Sequence, residues 1–223
     1  MPSDNFNRAD AATLGANWTQ AGWSGATLGI TSNQAAVKSG SESSYCFDLY
    51  TAVSAPATQY SQVVVKTVAN VCVVCCRMAS GGTQSYYGGG VNPTDGPDSN
   101  TRIFKLVSGT YTSLANFGSN SLSVNDVIKL TVIGNSLSFY RNNGLELTAS
   151  DSALSTGEVG LGAVHSSAVE IFDDWAGGEI PKASGIVPRP VFGTASDDDG
   201  HWNDLKGKNW FRTRSGLMVP CGA

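Results

Sequence analysis

Over most of this chain apolar and polar residues alternate one for one, in short stretches closed by Gly, Asn, Ser and Asp. A period of two puts successive side chains on opposite faces of an extended strand, and helical spacing is nearly absent. The pattern predicts about ten strands. In Ser44–Tyr50 the residues Tyr45, Phe47 and Leu49 share one face. Ser61–Val68 and Val71–Met78 read as two strands turning at Ala69-Asn70. Thr101–Val107 and Thr110–Leu114 flank the hairpin signal Ser108-Gly109. Asp126–Ile133 turns Ile128, Leu130 and Val132 inward, and after Gly134-Asn135 the stretch Ser136–Arg141 does the same with Leu137 and Phe139. Asn142-Asn143-Gly144 is a further turn. Glu158–Val164 points Val159, Leu161 and Ala163 inward, and Ala168–Trp175 closes the series with Val169, Ile171 and Trp175 on one face. Gly88-Gly89-Gly90 reads as a loop. Short strands at near-regular spacing without a βαβ rhythm predict an antiparallel sandwich.

The alternation stops at Glu179. Ile180–Pro190 carries three prolines and reads as an extended linker. An acidic run, Asp197-Asp198-Asp199, and an aromatic end with Trp202, Trp210 and Phe211 follow. The division expected is a sandwich over 1–179 and an arm over 180–223. The arm is too short for a core of its own and too aromatic for an idle tail. It either patches the sandwich or docks on a neighbouring subunit.

Composition narrows the function. Charged residues make up 14% of the 223 residues and the net charge is −4, so no electrostatic case exists for nucleic acid or an anionic membrane. The first residues show no basic stretch leading into an apolar one, which predicts no signal peptide, and no apolar run approaches the ~20 residues of a membrane helix. Of the five cysteines, Cys72 and Cys76 read as small buried hydrophobes, while Cys221 in the tail is the candidate for a bridge to another chain.

The opening Asp4-Asn-Phe-Asn-Arg-Ala-Asp10, with Leu14-Gly15 and Trp18, resembles the start of concanavalin A-like (laminin-G-like) domains of bacterial secreted and phage structural proteins. Later stretches agree in order: Val71–Arg77, Tyr86-Tyr87, Asp126–Asn135, and Gly157–Gly162 followed by Phe172-Asp-Asp-Trp175. The resemblance spans residues 4–179 and implies an all-β, antiparallel two-sheet jelly roll. It implies little about function, because lectins, adhesins, glycosidases and structural modules share this fold. Independently of any family, Phe6 and Trp18 are suited to plug the sandwich edge. Arg8 is suited to pair with Asp10, Asp173 or Asp174, joining first and last strands.

Catalysis finds no footing. Glycosidases of this fold carry Glu-x-Asp-x-x-Glu on a strand, which aligns the carboxylates on one face. Glu170-Ile-Phe-Asp-Asp-Trp175 lacks the second glutamate and has the wrong spacing. His165 and His201 stand in different segments, and no Gly-x-Ser-x-Gly elbow accompanies them. No enzyme is expected and no cofactor, apart from a structural calcium held by Asp4, Asp173 or Asp174. Binding remains. Arg77, Tyr86, Tyr87 and Trp23 are the candidate glycan site, since rings stack on sugar faces; Arg77 paired within the sheet and capped by the tyrosines is the plainer alternative. Trp202, Trp210, Phe211 and Cys221 are the candidate assembly contacts. The leading expectation is an oligomeric decoration or attachment protein of a phage-like particle, located on a virion or extracellular surface and held by other subunits. A carbohydrate-binding module or adhesin that recognises a cell-surface glycan is the alternative, and a glycoside hydrolase the least favoured.

Overall fold

The computed structural model describes residues 2–21, 26–39, 44–54, 56–68, 71–79, 84–91, 100–119, 122–165, 170–180, 210–212 and 218–220. The chain divides into two compact units, Met1–Ile180 and Pro181–Ala223. The first holds strands β1 (Ser3–Asp4), β2 (Trp18–Gln20), β3 (Thr27–Thr31), β4 (Gln34–Ser39), β5 (Ser44–Tyr50), β6 (Gln59–Val65), β7 (Cys72–Met78) and β8 (Tyr86–Val91). It continues with β9 (Asn100–Val107), β10 (Thr110–Ser119), β11 (Val127–Ile133), β12 (Ser136–Arg141), β13 (Gly144–Ser150), β14 (Glu158–His165) and β15 (Ile171–Glu179). In the second unit, β16 (Trp210–Arg212) and β17 (Met218–Pro220) pair as an antiparallel hairpin.

Two antiparallel sheets form the first unit. One runs β13-β12-β11-β6-β15-β4-β3 with β1 beside β15; the other runs β10-β9-β8-β7-β14-β5-β2. The first and last strands do lie together, in the register Ser3↔Ala176 and Asp4↔Trp175. The inward residues read from the alternation of β11, β12 and β14 are all buried between the sheets: Ile128, Leu130, Val132, Leu137, Phe139, Val159, Leu161 and Ala163. A hydrogen-bonded chain crosses this core, with Trp175 Nε1 donating to Ser61 Oγ and Ser61 Oγ donating to Gly160 O. Trp175 also packs on Trp18 and Tyr50, with ring centroids 4.7 and 4.8 Å apart.

Several expectations need correction. Gly88-Gly89-Gly90 is strand, not loop: it pairs with both β7 and β9. The glycines are there because neighbours lean on them. A Cβ at Gly88 would sit 2.3 Å from the Phe104 ring, and one at Gly89 would sit 2.7 Å from Phe139. On β15 the buried pair is Phe172 and Trp175, while Ile171 is only half-buried. A bulge between Asp173 and Ala176, with Asp174 at φ 46°, resets the alternation, which no period-two count anticipates. Val169 and the Ala69-Asn70 turn lie outside the described residues. Arg8 pairs with Asp4 and not with Asp10, Asp173 or Asp174. Its guanidinium meets both Asp4 oxygens and also donates to Leu14 O. Trp18 Nε1 and Phe6 N donate to Asp4 as well, so four donors converge on this carboxylate. Burial alone raises its pKa, but these bonds outweigh it and hold Asp4 below the usual carboxylate value.

Candidate functional site

Strand β7, Cys-Val-Val-Cys-Cys-Arg-Met, is buried on both faces although it lies in an antiparallel sheet. Cys72, Val74 and Cys76 face the inter-sheet core, whereas Val73 and Cys75 belong to a second apolar cluster with Ala21, Phe47, Leu49, Met78, Tyr86 and Leu106. That cluster covers the outer face of the seven-stranded sheet. An outward face usually carries polar residues and meets water, whereas these side chains are buried, 0–4% exposed, and form a second small core.

Aromatic rings form a row across this face. From β5 to β10 it runs Tyr45, Phe47, Tyr86, Phe104 and Tyr111, with successive centroids 6.3, 4.8, 6.0 and 5.3 Å apart. Small residues underneath let the rings lie down on the sheet: a Cβ at Gly162 would fall 2.1 Å from Phe47, and Gly88 is likewise covered by Phe104. The two ends are open, with Tyr45 40% and Tyr111 49% exposed, while Phe47 and Tyr86 are buried. Burial raises the pKa of the Tyr86 phenol, and Cys75, Tyr45 and Tyr111 lie close enough to raise it further. In register with Phe104 and Arg102 on β9 stand Ser113 and Asn116 on β10, so small polar groups and a guanidinium share the open end. Near the buried middle, Gln84 Nε2 donates to Ala21 O and Ala21 N donates to Phe47 O. The segment before β8 is thereby tied to the end of β2.

The residues expected to form a glycan site are not grouped as the sequence suggested. Tyr86 is on this face but only 2% exposed. Tyr87 points the opposite way, into the core, and its hydroxyl donates to Asp151 and accepts from Leu154 N. Arg77, at φ 52° and 3% exposed, spends its guanidinium on three backbone carbonyls, those of Ala57, Gly134 and Leu154. It lies over the Tyr87 ring at 5.9 Å. This placement corrects the expectation of an exposed Arg-Tyr-Tyr platform: Arg77 clamps three loops, and Tyr87 supports it. Trp23 lies outside the described residues.

Asp4, Asp173 and Asp174 do not converge either. Asp4 is filled by its four donors, Asp173 Oδ2 accepts from Gln34 Nε2, and Asp174 is exposed on the bulge. Asp4 and Asp174 do line an open cleft of about 380 Å³ with Ser3, Asn5, Trp175 and Ala176. Among the described residues no group of three His, Cys, Asp or Glu side chains is placed to hold a metal ion. Of the assembly candidates, Trp210 and Phe211 belong to β16; their side chains, Trp202 and Cys221 lie outside the described residues, as do His201 and the Asp197–Asp199 run. Cys46, Cys72, Cys75 and Cys76 are buried free thiols. Cys46 and Cys72 flank Ala163 on its two sides, which puts their strands about 10 Å apart, too far for a disulfide.

Two features were missed entirely. Phe104 and Tyr111 were readable as strand residues, but which face they share with Tyr86 depends on a three-strand register. Asp48 is the other. Directly opposite Leu161, it points into the inter-sheet core, 5% exposed, with no hydrogen bond to Oδ1. Burial pushes its pKa up to about 7.

This architecture is a concanavalin A-like jelly-roll sandwich with an aromatic row on the outside of one sheet. Among solved structures it is similar to a carbohydrate-binding module of Bacillus subtilis, CBM66, with a TM-score of 0.57 and 20% identity over 73% of this chain and 96% of that one. It is also similar to a protein of unknown function with a galectin-like fold from Bacillus subtilis (TM-score 0.60, 9% identity, 80% and 95% covered). A third is the exoplasmic/lumenal domain of VIP36 in its Ca2+/Man3GlcNAc-bound form (TM-score 0.54, 10% identity, 74% and 84% covered). No protein-family model matches the chain, and no curated protein matches it. Among the described residues no helix is long and apolar enough to cross a membrane.

Proposed function

We propose that this chain is a non-catalytic carbohydrate-binding module whose ligand lies on the open β9–β10 end of the outer aromatic face. One observation carries the reading: Tyr111, half exposed, is packed at 5.3 Å on Phe104 beside Ser113 and Asn116. Rings supply the apolar face on which a sugar stacks, and small polar groups supply bonds to its hydroxyls. The CBM66 and VIP36 likenesses support it in coarse form. A glycan-binding role goes with an extracellular or particle-surface location. The test is a glycan array followed by calorimetry. Tyr111→Ala weakens the glycan by about tenfold, the worth of one lost stacking contact, with the melting temperature unchanged. Absence of any bound glycan, or equal affinity in Tyr111→Ala, refutes it.

An assembly role is a second reading. What supports it is that Pro181–Ala223 is compact on its own and ends in the β16–β17 hairpin. In that reading Trp202, Trp210, Phe211 and Cys221 contact neighbouring subunits of a phage-like particle. Sedimentation of the full chain against one ending at Ile180 tests it: loss of an oligomer on truncation supports the role, and a monomer in both cases removes it.

A further inference from the structure

Strand β10 carries an extra residue against β9. Ser113 lies opposite Phe104 and Ala115 opposite Ile103, so Leu114 is inserted as a bulge. Without it Ser113 and Asn116, three positions apart, fall on opposite faces of the sheet. With it Leu114 and Ala115 both pack on the inter-sheet core, and Ser113 and Asn116 both stand exposed on the outer side. Asn116 is opposite Arg102, and Arg102 shares the outer face with Phe104 because Ile103 between them is buried in the core. On its other flank the half-buried Arg102 meets Gly90, which has no side chain to screen it. Tyr111, which is opposite Leu106, then Phe104 and Arg102 mark three successive rows of one face, spaced about 7 Å apart.

We propose that this end of the outer face is specific for a glycan that carries a carboxylate: Tyr111 and Phe104 hold the sugar rings, and the Arg102 guanidinium, with the Asn116 amide beside it, receives the carboxylate of an acidic sugar unit. The inference rests on the proposed glycan-binding function and adds to it the class of sugar. The bulge supplies the structural reason. It brings two polar residues that plain alternation would separate onto the side where the arginine and the open ring lie. A guanidinium holds five N–H donors in a fixed planar fork, so Arg102 keeps its contact within the protein and still presents two parallel donors to a carboxylate.

The charges around it point the same way. Among the described residues, Asp48 and Lys105 on this sheet face inward, Lys105 paired with Asp151, and Arg77 is spent on loop carbonyls. Glu158 is on the outer face but on β14, three strands from β9 and so about 14 Å away across the sheet, beyond the reach of strong interaction in physiological salt. The open end is therefore locally positive on a chain of net charge −4. One fixed cation suits one carboxylate placed by the sugar rings, and it does not suit a densely sulfated polymer, which needs many cations.

The full chain is tested on an array in which galacturonic, glucuronic and N-acetylneuraminic acid oligosaccharides each stand beside their methyl esters, with dextran sulfate as a further probe. Calorimetry follows on the best pair. The acid binds about tenfold more tightly than its ester, as one charge-assisted fork predicts, and Arg102→Gln brings the ratio near one. Arg102→Lys keeps the charge without the fork and retains only part of the preference, which preserves the test if Arg102→Gln does not fold. Equal affinity for acid and ester overturns the inference. So does a preference that survives in full in either variant, or dextran sulfate binding as tightly as the acids. In each of these cases a bound ester or neutral glycan leaves the proposed function standing. Binding of no glycan at all removes the proposed function and this inference with it.

Discussion

Replacing Asp48 by asparagine tests the electrostatics of the core directly. In the folded chain burial lifts the Asp48 pKa to about 7 from an ordinary 3.8, so the folded state binds this proton more tightly than the unfolded chain does. Between about pH 4 and pH 7 the folded state then holds more protons, and stability falls as pH rises. Below that window both states are protonated and the stabilising difference is fully present; above it the loss is complete. With about 1.4 kcal/mol for each tenfold change in proton affinity, the interval corresponds to about 4 kcal/mol, a large share of the 5–15 kcal/mol that holds a typical domain together. Local opening that lets the charge reach water caps the loss below that figure. The asparagine side chain keeps the shape and does not titrate. Urea unfolding followed by tryptophan fluorescence at pH 4.5, 6 and 8 measures both proteins. The native chain loses between about 2 and 4 kcal/mol relative to Asp48→Asn across this range. A relative change under about 1 kcal/mol, or one of opposite sign, refutes a buried carboxylate without a partner.

Arg77→Met leaves the carbonyls of Ala57, Gly134 and Leu154 without their donor and costs about 3 kcal/mol or more, read as a lowered melting temperature; Arg77→Lys recovers only part, since one ammonium cannot span three loops. Gly162→Ala drives a methyl group into Phe47 and is strongly destabilising, whereas Gly118→Ala, with nothing within 4 Å of the new carbon, leaves thermal stability nearly unchanged. Trp18→Phe removes one of the donors to Asp4 and costs about 1 kcal/mol at neutral pH; because that carboxylate is held below its usual value, the penalty shrinks as pH drops through the acid range, which acid titration of both proteins resolves. The four buried thiols stay unmodified by a neutral alkylating reagent in the native state and all react in denaturant, which intact mass reads out.

Much of the frame was legible in the residues. The alternation at Ile128–Val132 and Leu137–Phe139 returned both strands and their inward faces. The Asp4–Trp18 stretch marked a structural knot, although it was Asp4 that met Arg8. Strands β1 to β4 and β13 were not found, and β8 was read as loop beyond its tyrosines. Gly88–Gly90 has no side chain to show a period, so its strand state comes from Phe104 and Phe139 pressing on it from other parts of the chain. The bulge at Asp173–Asp174 was invisible for the same reason: an inserted residue shifts the count without changing composition.

The candidate site was legible only in kind. A need for exposed rings followed from the sequence, but the rings named, Tyr86 and Tyr87, are neighbours on a strand and face opposite ways. Tyr111, Phe104 and Tyr45 join Tyr86 through register across six strands, a relation spread over residues 45 to 111. In β5 local pattern alone settles that Tyr45, Phe47 and Leu49 lie on one side and Cys46, Asp48 and Tyr50 on the other. Which side looks at the second sheet is a tertiary matter. The apolar-looking set faces outward, and the set containing a carboxylate faces the core. Alternation reports that a strand has two faces, and only the partner packed against each face decides which of them is inside.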